Sequence, residues 1–277
     1  MSLNEELNKI FLDTGRFLKQ QQELYGDTLF VSKSKEPSIE PTQMPSIKKT
    51  TQAVSEIDIF GNAVKLTMNQ HKNRENISPE YPSEPWIATT TLVELNDTIN
   101  TCVKCSLGHT RKKFVFGVGN PKAEVVVVGE APGADEDEQG EPFVGRGGQL
   151  LNKILEAVKF KREEVFICNI LKCRPPNNRD PQTEEIDCCE PYLWKQLEII
   201  KPKVILCVGR IAGQSLLKTN SSLSLLRGKV HDYRGIPLMV TYHPAALLRN
   251  PNWKRPCWED MQMFRKLYDE MKEKSGQ

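Results

Sequence analysis

The chain has 277 residues, room for one large domain or two small ones, and its 38% hydrophobic and 27% charged residues suit a soluble protein slightly poor in apolar side chains. A formal net charge of only +2 excludes an overall basic excess, so any nucleic-acid footprint must be local. No apolar run could cross a bilayer, and Met1-Ser2-Leu3-Asn4-Glu5-Glu6-Leu7 lacks the basic and apolar regions of a signal peptide. The expectation is a cytoplasmic protein with no membrane contact, in which eight cysteines are thiols or metal ligands rather than disulfides.

Residues 4–25 read as a helix, with Leu7, Ile10, Phe11, Phe17, Leu18 and Tyr25 at three- and four-residue spacing. Its apolar stripe either packs on its own core or docks a protein partner. Residues 26–90 turn to Ser, Pro, Lys, Gln, Asn and Thr without period, and read as a disordered polar linker. The globular text, taken as one domain over 91–277, then alternates. Strands are expected at 124–128, 165–170, 204–208 and 237–241, and helices at 147–158, 182–200, 211–217 and 258–272. This order predicts an α/β fold, a three-layer α/β/α arrangement around a central, mostly parallel four-stranded sheet. Ligands of such sheets bind beyond the carboxyl ends of the strands, where Glu130, Asn169 and His243 all fall.

The cysteines are the sharpest signal. Cys102 and Cys105 form a C-x2-C knuckle, Cys173 sits in Lys172-Cys173-Arg174-Pro175-Pro176, and Cys189 follows sixteen residues later. Spacing alone leaves zinc and an iron–sulfur cluster equally open, since both take thiolates in tetrahedral arrangements. Cys188 could stand in for Cys189. Cys168 and Cys207, inside apolar strands, read as core thiols, and Cys257 has no assignment. A Gly129-Glu130-Ala131-Pro132-Gly133 loop follows the first strand without the pattern of a dinucleotide or phosphate loop.

Four segments in order carry a resemblance: the Gly129–Gly133 loop, Pro142-Phe143-Val144-Gly145-Arg146, Asn169-Ile170-Leu171-Lys172-Cys173-Arg174-Pro175-Pro176 and His243-Pro244-Ala245-Ala246-Leu247-Leu248-Arg249. With the four cysteines they resemble the family 4 uracil-DNA glycosylases, the iron–sulfur branch of that superfamily, over about residues 102–250. The resemblance implies an enzyme acting on uracil-containing DNA in base excision repair; it is expected to be a monomer, and monofunctional because no candidate Schiff-base Lys stands out in the motifs. The resemblance also implies a 4Fe–4S cluster on Cys102, Cys105, Cys173 and Cys189. The alternative is a non-catalytic iron–sulfur DNA-binding protein.

Each implied role has a chemical reason. Asn169 can accept from uracil N3–H and donate to O4, where cytosine presents the opposite pattern. Phe143 can stack on the flipped base, with Ala131 and Glu136 completing the base pocket. His243 can donate to O2 as negative charge develops there. Glu130 and Asn178 are the remaining catalytic candidates, while Asp135, Asp137 and Glu138 are expected to be solvated. Leu247 or Leu248 can wedge into the vacated stack, and Arg249, Lys254 and Arg255 can meet phosphates. A related branch traps DNA covalently through a His near the second cysteine pair. Residues 175–181 hold none, so turnover is expected to be hydrolytic.

Overall fold

The computed structural model describes residues 84–275, all within one compact unit, Arg74–Gln277. The expected helix at 4–25 and most of the linker at 26–90 therefore lie outside the described residues. The end of that linker does not. Pro85–Ala88 forms a 3-10 turn, and Trp86 is buried edge-on against Tyr192, with ring centroids 5.4 Å apart. A single Trp between Pro and Ile carries no period, so pattern reading passes over it.

The sheet has six strands rather than four: β1 (Val118–Gly119), β2 (Val125–Gly129), β3 (Phe166–Asn169), β4 (Val204–Val208), β5 (Val230–Tyr233) and β6 (Ile236–Thr241), ordered β1-β3-β2-β4-β6-β5. The four expected strands are the parallel centre β3-β2-β4-β6, and β1 and β5 add antiparallel edges. Both edges are short. β5 joins β6 through Arg234 and Gly235, both at positive φ, a hairpin turn usually advertised by Asn-Gly or Asp-Gly.

The central strands are buried on both faces, hence their unbroken apolar runs. Alternate residues serve opposite layers. Val126 and Val128 join one core with α1 (Leu92–Ile99), α4 (Thr183–Ile200) and α5 (Arg210–Leu217). Val125 and Val127 join the other with α3 (Arg146–Ala157) and α8 (Lys254–Ser275). Three further helices are short: α2 (Ala134–Gln139), α6 (Leu223–Leu226) and α7 (Pro244–Arg249). Helix α1 starts at a reciprocal cap, in which Glu94 N–H donates to Thr91 Oγ1 and Thr91 N–H to Glu94 Oε2. Among the described residues no helix is long and apolar enough to cross a membrane.

After β2 the chain passes to the layer holding α3, and after β4 to the layer holding α5. The loops leaving these adjacent strands diverge, which opens a crevice at their carboxyl ends.

Candidate active site

A chamber of about 840 Å³ occupies this crevice. Glu130, Ala131, Asn169, Gly209 and His243, at the ends of β2, β3, β4 and β6 or one or two residues past them, all line it, so the expected convergence at the strand ends occurs.

Asn169 is the last residue of β3 and only 1% exposed, and its Oδ1 is buried with no hydrogen-bond partner. A buried amide oxygen left unpaired costs about 1–3 kcal/mol, which a bound donor would recover. Phe143 stands beside it with φ at 54°, an unusual conformation for an aromatic residue. Glu136 holds that loop. Its Oε1 accepts from Val144 N–H and Gly145 N–H, both at 3.1 Å, and its Oε2 accepts from Gly133 N–H at 3.0 Å. Both oxygens are thus committed to backbone. Glu136 lines the chamber and braces the loop that carries Phe143. Gly129 completes the arrangement, since a Cβ there would stand 2.3 Å from Asn169 Oδ1 and 2.6 Å from Phe143 Cζ.

His243 caps α7, its Nδ1 accepting from Ala245 N–H at 3.2 Å. With Nδ1 an acceptor, the ring proton resides on Nε2, which can donate. Burial, aided by the Arg249 charge, lowers its pKa from 6.5 to about 4, so the imidazole is neutral at physiological pH. Its ring lies 5.6 Å from that of Phe143, tilted by 33°. Gly209, at φ 103°, lets β4 end against it, because a Cβ would meet His243 Cβ at 3.2 Å. Glu130 is pushed up to about 7 by burial, then by Asp180, with Arg210 opposing. It titrates where a general base should. Asn178 is exposed on the rim at φ 53°, and its Oδ1 accepts from Arg174 Nε at 2.7 Å. Its NH2 has no partner in the side-chain network of the described residues and is open to a ligand.

Two leucines part company on α7. Leu247 is 1% exposed and belongs to the core, whereas Leu248 is 40% exposed and is the residue able to wedge. Arg249 is exposed and lines the chamber, while Lys254 and Arg255 are exposed beyond it. Sequence reasoning missed Tyr242, Trp253 and Arg146, which also line it. Asp137 corrects an expectation: it is buried and accepts from Lys112 N–H at 2.9 Å and Lys113 N–H at 3.4 Å.

Similarity to known proteins follows the same residues. The Uracil DNA glycosylase superfamily model matches residues 116–262. A type-4 uracil-DNA glycosylase of Archaeoglobus fulgidus is 45% identical over 177 residues, a match covering 61% of this chain and 89% of the relative. The chain belongs to the uracil DNA glycosylase superfamily, in its type-4 branch. A type-4 uracil-DNA glycosylase of Thermotoga maritima is 42% identical over 158 residues, covering 56% of this chain and 82% of the relative. A type-5 uracil-DNA glycosylase of Pyrobaculum aerophilum is 30% identical over 146 residues, covering 47% and 64%.

The four expected ligand thiols, two of them ahead of the matched residues, lie on the α1/α4 side of the sheet. Cys173 and Cys189 are buried in that core, with Cys102 and Cys105 packed against it, and all eight cysteines are unpaired. Tyr192 Oη donates to Cys102 Sγ at 3.3 Å, Arg111 Nη1 to Cys173 Sγ at 3.3 Å, and Lys172 N–H to Cys189 Sγ at 3.2 Å. Donors aimed at sulfur suit thiolates and so fit an iron–sulfur ligand set. Without a metal, burial holds Cys173 above its usual pKa and raises Cys189 to about 12. Metal binding would therefore release protons. Among the described residues no three His, Cys, Asp or Glu side chains stand close enough to share a single metal ion. Cys188 is half-buried, pointing its Sγ at Lys104 O, 3.8 Å away. Cys168 and Cys207 are fully buried strand residues, as expected of core thiols.

Proposed function

We propose that the chain flips uracil out of DNA into this chamber, hydrolyses its N-glycosidic bond and leaves an abasic site for base excision repair. The observation that carries the reading is the unpaired Oδ1 of Asn169, buried beside Phe143 and Glu130 where a base would enter. It would accept from uracil N3–H while the amide nitrogen donates to O4, and Phe143 would cover the face of the ring. Cytosine offers no N3 proton and a donor at its 4-position, so it would leave the buried amide mispaired.

In the bond-breaking step the C1′–N1 electron pair leaves with uracil. The Nε2–H of neutral His243 donates to O2, where the charge collects. Water oxygen bonds to C1′ and gives a proton to the Glu130 carboxylate, which later releases it to solvent. The uracil anion takes up a proton after leaving. No lysine lines the chamber among the described residues, which supports hydrolysis without Schiff-base lyase chemistry. Cys102, Cys105, Cys173 and Cys189 would hold a 4Fe–4S cluster, which when bound supplies a four-point brace between the knuckle, the loop after β3 and α4.

The test is incubation with a uracil-containing oligonucleotide, followed by alkaline cleavage at abasic sites. Wild-type protein should release uracil, and Asn169→Asp should lose about a hundred- to a thousandfold in rate with DNA affinity changed far less. DNA binding by the wild type without any uracil release would favour the non-catalytic iron–sulfur DNA-binding alternative.

A further inference from the structure

The exposed aromatic at the mouth of the chamber is Trp253, for which the uracil-excising reading leaves no role. It ends a 3-10 turn, Pro251–Trp253, that follows α7. Asn250 fixes this turn: its Oδ1 accepts from Asn252 N–H at 3.2 Å, and its carbonyl accepts from Trp253 N–H at 3.2 Å. The turn folds the chain back on itself. The indole stacks on Tyr242, the neighbour of His243, with centroids 5.3 Å apart and planes 22° from parallel.

Tyr242 is itself anchored. Arg227 sits over its ring at 5.3 Å, and Arg227 is locked to buried Asp260 by Nε–Oδ2 and Nη2–Oδ1 contacts of 2.9 Å each. Asp260 also accepts from Thr241 Oγ1, at the end of β6, at 2.8 Å. Buried groups thus tie the support of Trp253 to the sheet. The indole nevertheless remains 39% exposed and lines the chamber with Arg249. A flat, backed, partly open aromatic surface flanked by exposed Arg249, Lys254 and Arg255 has the two properties that hold unpaired nucleotides. These are a stacking face indifferent to base identity and cations for the backbone.

We propose that Trp253 is a stacking subsite for a nucleobase adjacent to the flipped uracil. Flipping leaves the neighbouring bases without a stacking partner, and a rigid indole at the mouth would take one of them, holding the strand open while Phe143 covers the uracil. This rests on the uracil-excising reading, but its test separates the two.

The experiment is a cycle between protein and DNA. Wild-type protein, Trp253→Ala and Trp253→Phe are titrated with single-stranded uracil oligonucleotides. The base on the 5′ side, the 3′ side or both is replaced by an abasic spacer, and binding and single-turnover release are followed separately. With the intact oligonucleotide Trp253→Ala should bind about tenfold to a hundredfold more weakly, and Trp253→Phe should keep most of the affinity. With the spacer on one particular side, wild type should fall to the level of Trp253→Ala, and the substitution should then cost nothing further. The proposal is overturned if Trp253→Ala binds normally, or if its loss is as large with both neighbours removed. Tight wild-type binding with a normal spacer effect but no uracil release would sink the catalytic reading and leave the subsite standing.

Discussion

Substituting Gly129 by Ala would test the site through a tight contact with two of its side chains. The new Cβ would stand 2.3 Å from Asn169 Oδ1, and 2.6 and 2.8 Å from Phe143 Cζ and Cε2. Ordinary contact needs roughly 3.4 Å or more, so the amide oxygen and the ring must both retreat by about 1 Å. Both are side-chain tips beside an open chamber, so the fold can yield at a cost of about 1–3 kcal/mol. That corresponds to a melting temperature lower by roughly 2–10 °C for a domain of this size. The function has no such slack. A displacement of about 1 Å in a positioning group costs on the order of a hundredfold in rate. Single-turnover release from a uracil oligonucleotide should therefore fall about a hundredfold, while affinity for uracil-free DNA stays near wild type. A variant releasing uracil within a few-fold of wild type would show that Asn169 and Phe143 do not read the base. Loss of folding would show instead that Gly129 serves the core.

Other substitutions separate the remaining roles. If Glu130 takes the water proton, its ionised form is the active one, so the rate should rise about tenfold per pH unit below pH 7 and level off above it. Glu130→Gln should remove that limb along with most of the rate, and a wild-type profile flat from pH 5 to 8 would refute the assignment. His243, neutral down to about pH 4, should contribute no limb in that range. Anaerobically purified protein should contain iron and absorb in the visible. Cys189→Ala should bleach it and Cys188→Ala should not, and stoichiometric zinc without iron would refute the cluster. Arg249→Ala should weaken binding to uracil-free DNA and lower its salt dependence by about one phosphate contact. Leu248→Ala should slow release from duplex more than from single strands, where less stacking must be broken. Equal losses on both substrates would remove it as the wedge.

The parallel centre of the fold was legible in the chain because strands buried on both faces must be largely apolar, and the cores of the expected strands, 125–128, 166–168, 204–208 and 238–240, are such runs. Glu130, Asn169 and His243 were legible for a related reason: each stands one or two residues past a strand or at its end, and an α/β sheet collects those positions. The edge strands and α7 were not legible. Two to six residues carry too little period, and their conformation comes from the sheet they join. The sequence could not tell Leu247 from Leu248, because only packing against α3 and α8 decides which one is buried. Nor could it show that Glu136 and Asp137 spend their carboxylates on backbone N–H groups, since the spacing of charges does not reveal what faces them. Trp253 illustrates the same limit, because its meaning lies in Tyr242, eleven residues earlier, and that contact exists only after α7 turns the chain back. The sequence by itself thus determined the layers and the side chains delivered to one end of the sheet, through periodicity and order along the chain. Tertiary structure alone decided which of those side chains keep an unpaired atom for a ligand, because contacts between distant segments satisfy some polar groups and leave Asn169 Oδ1 waiting.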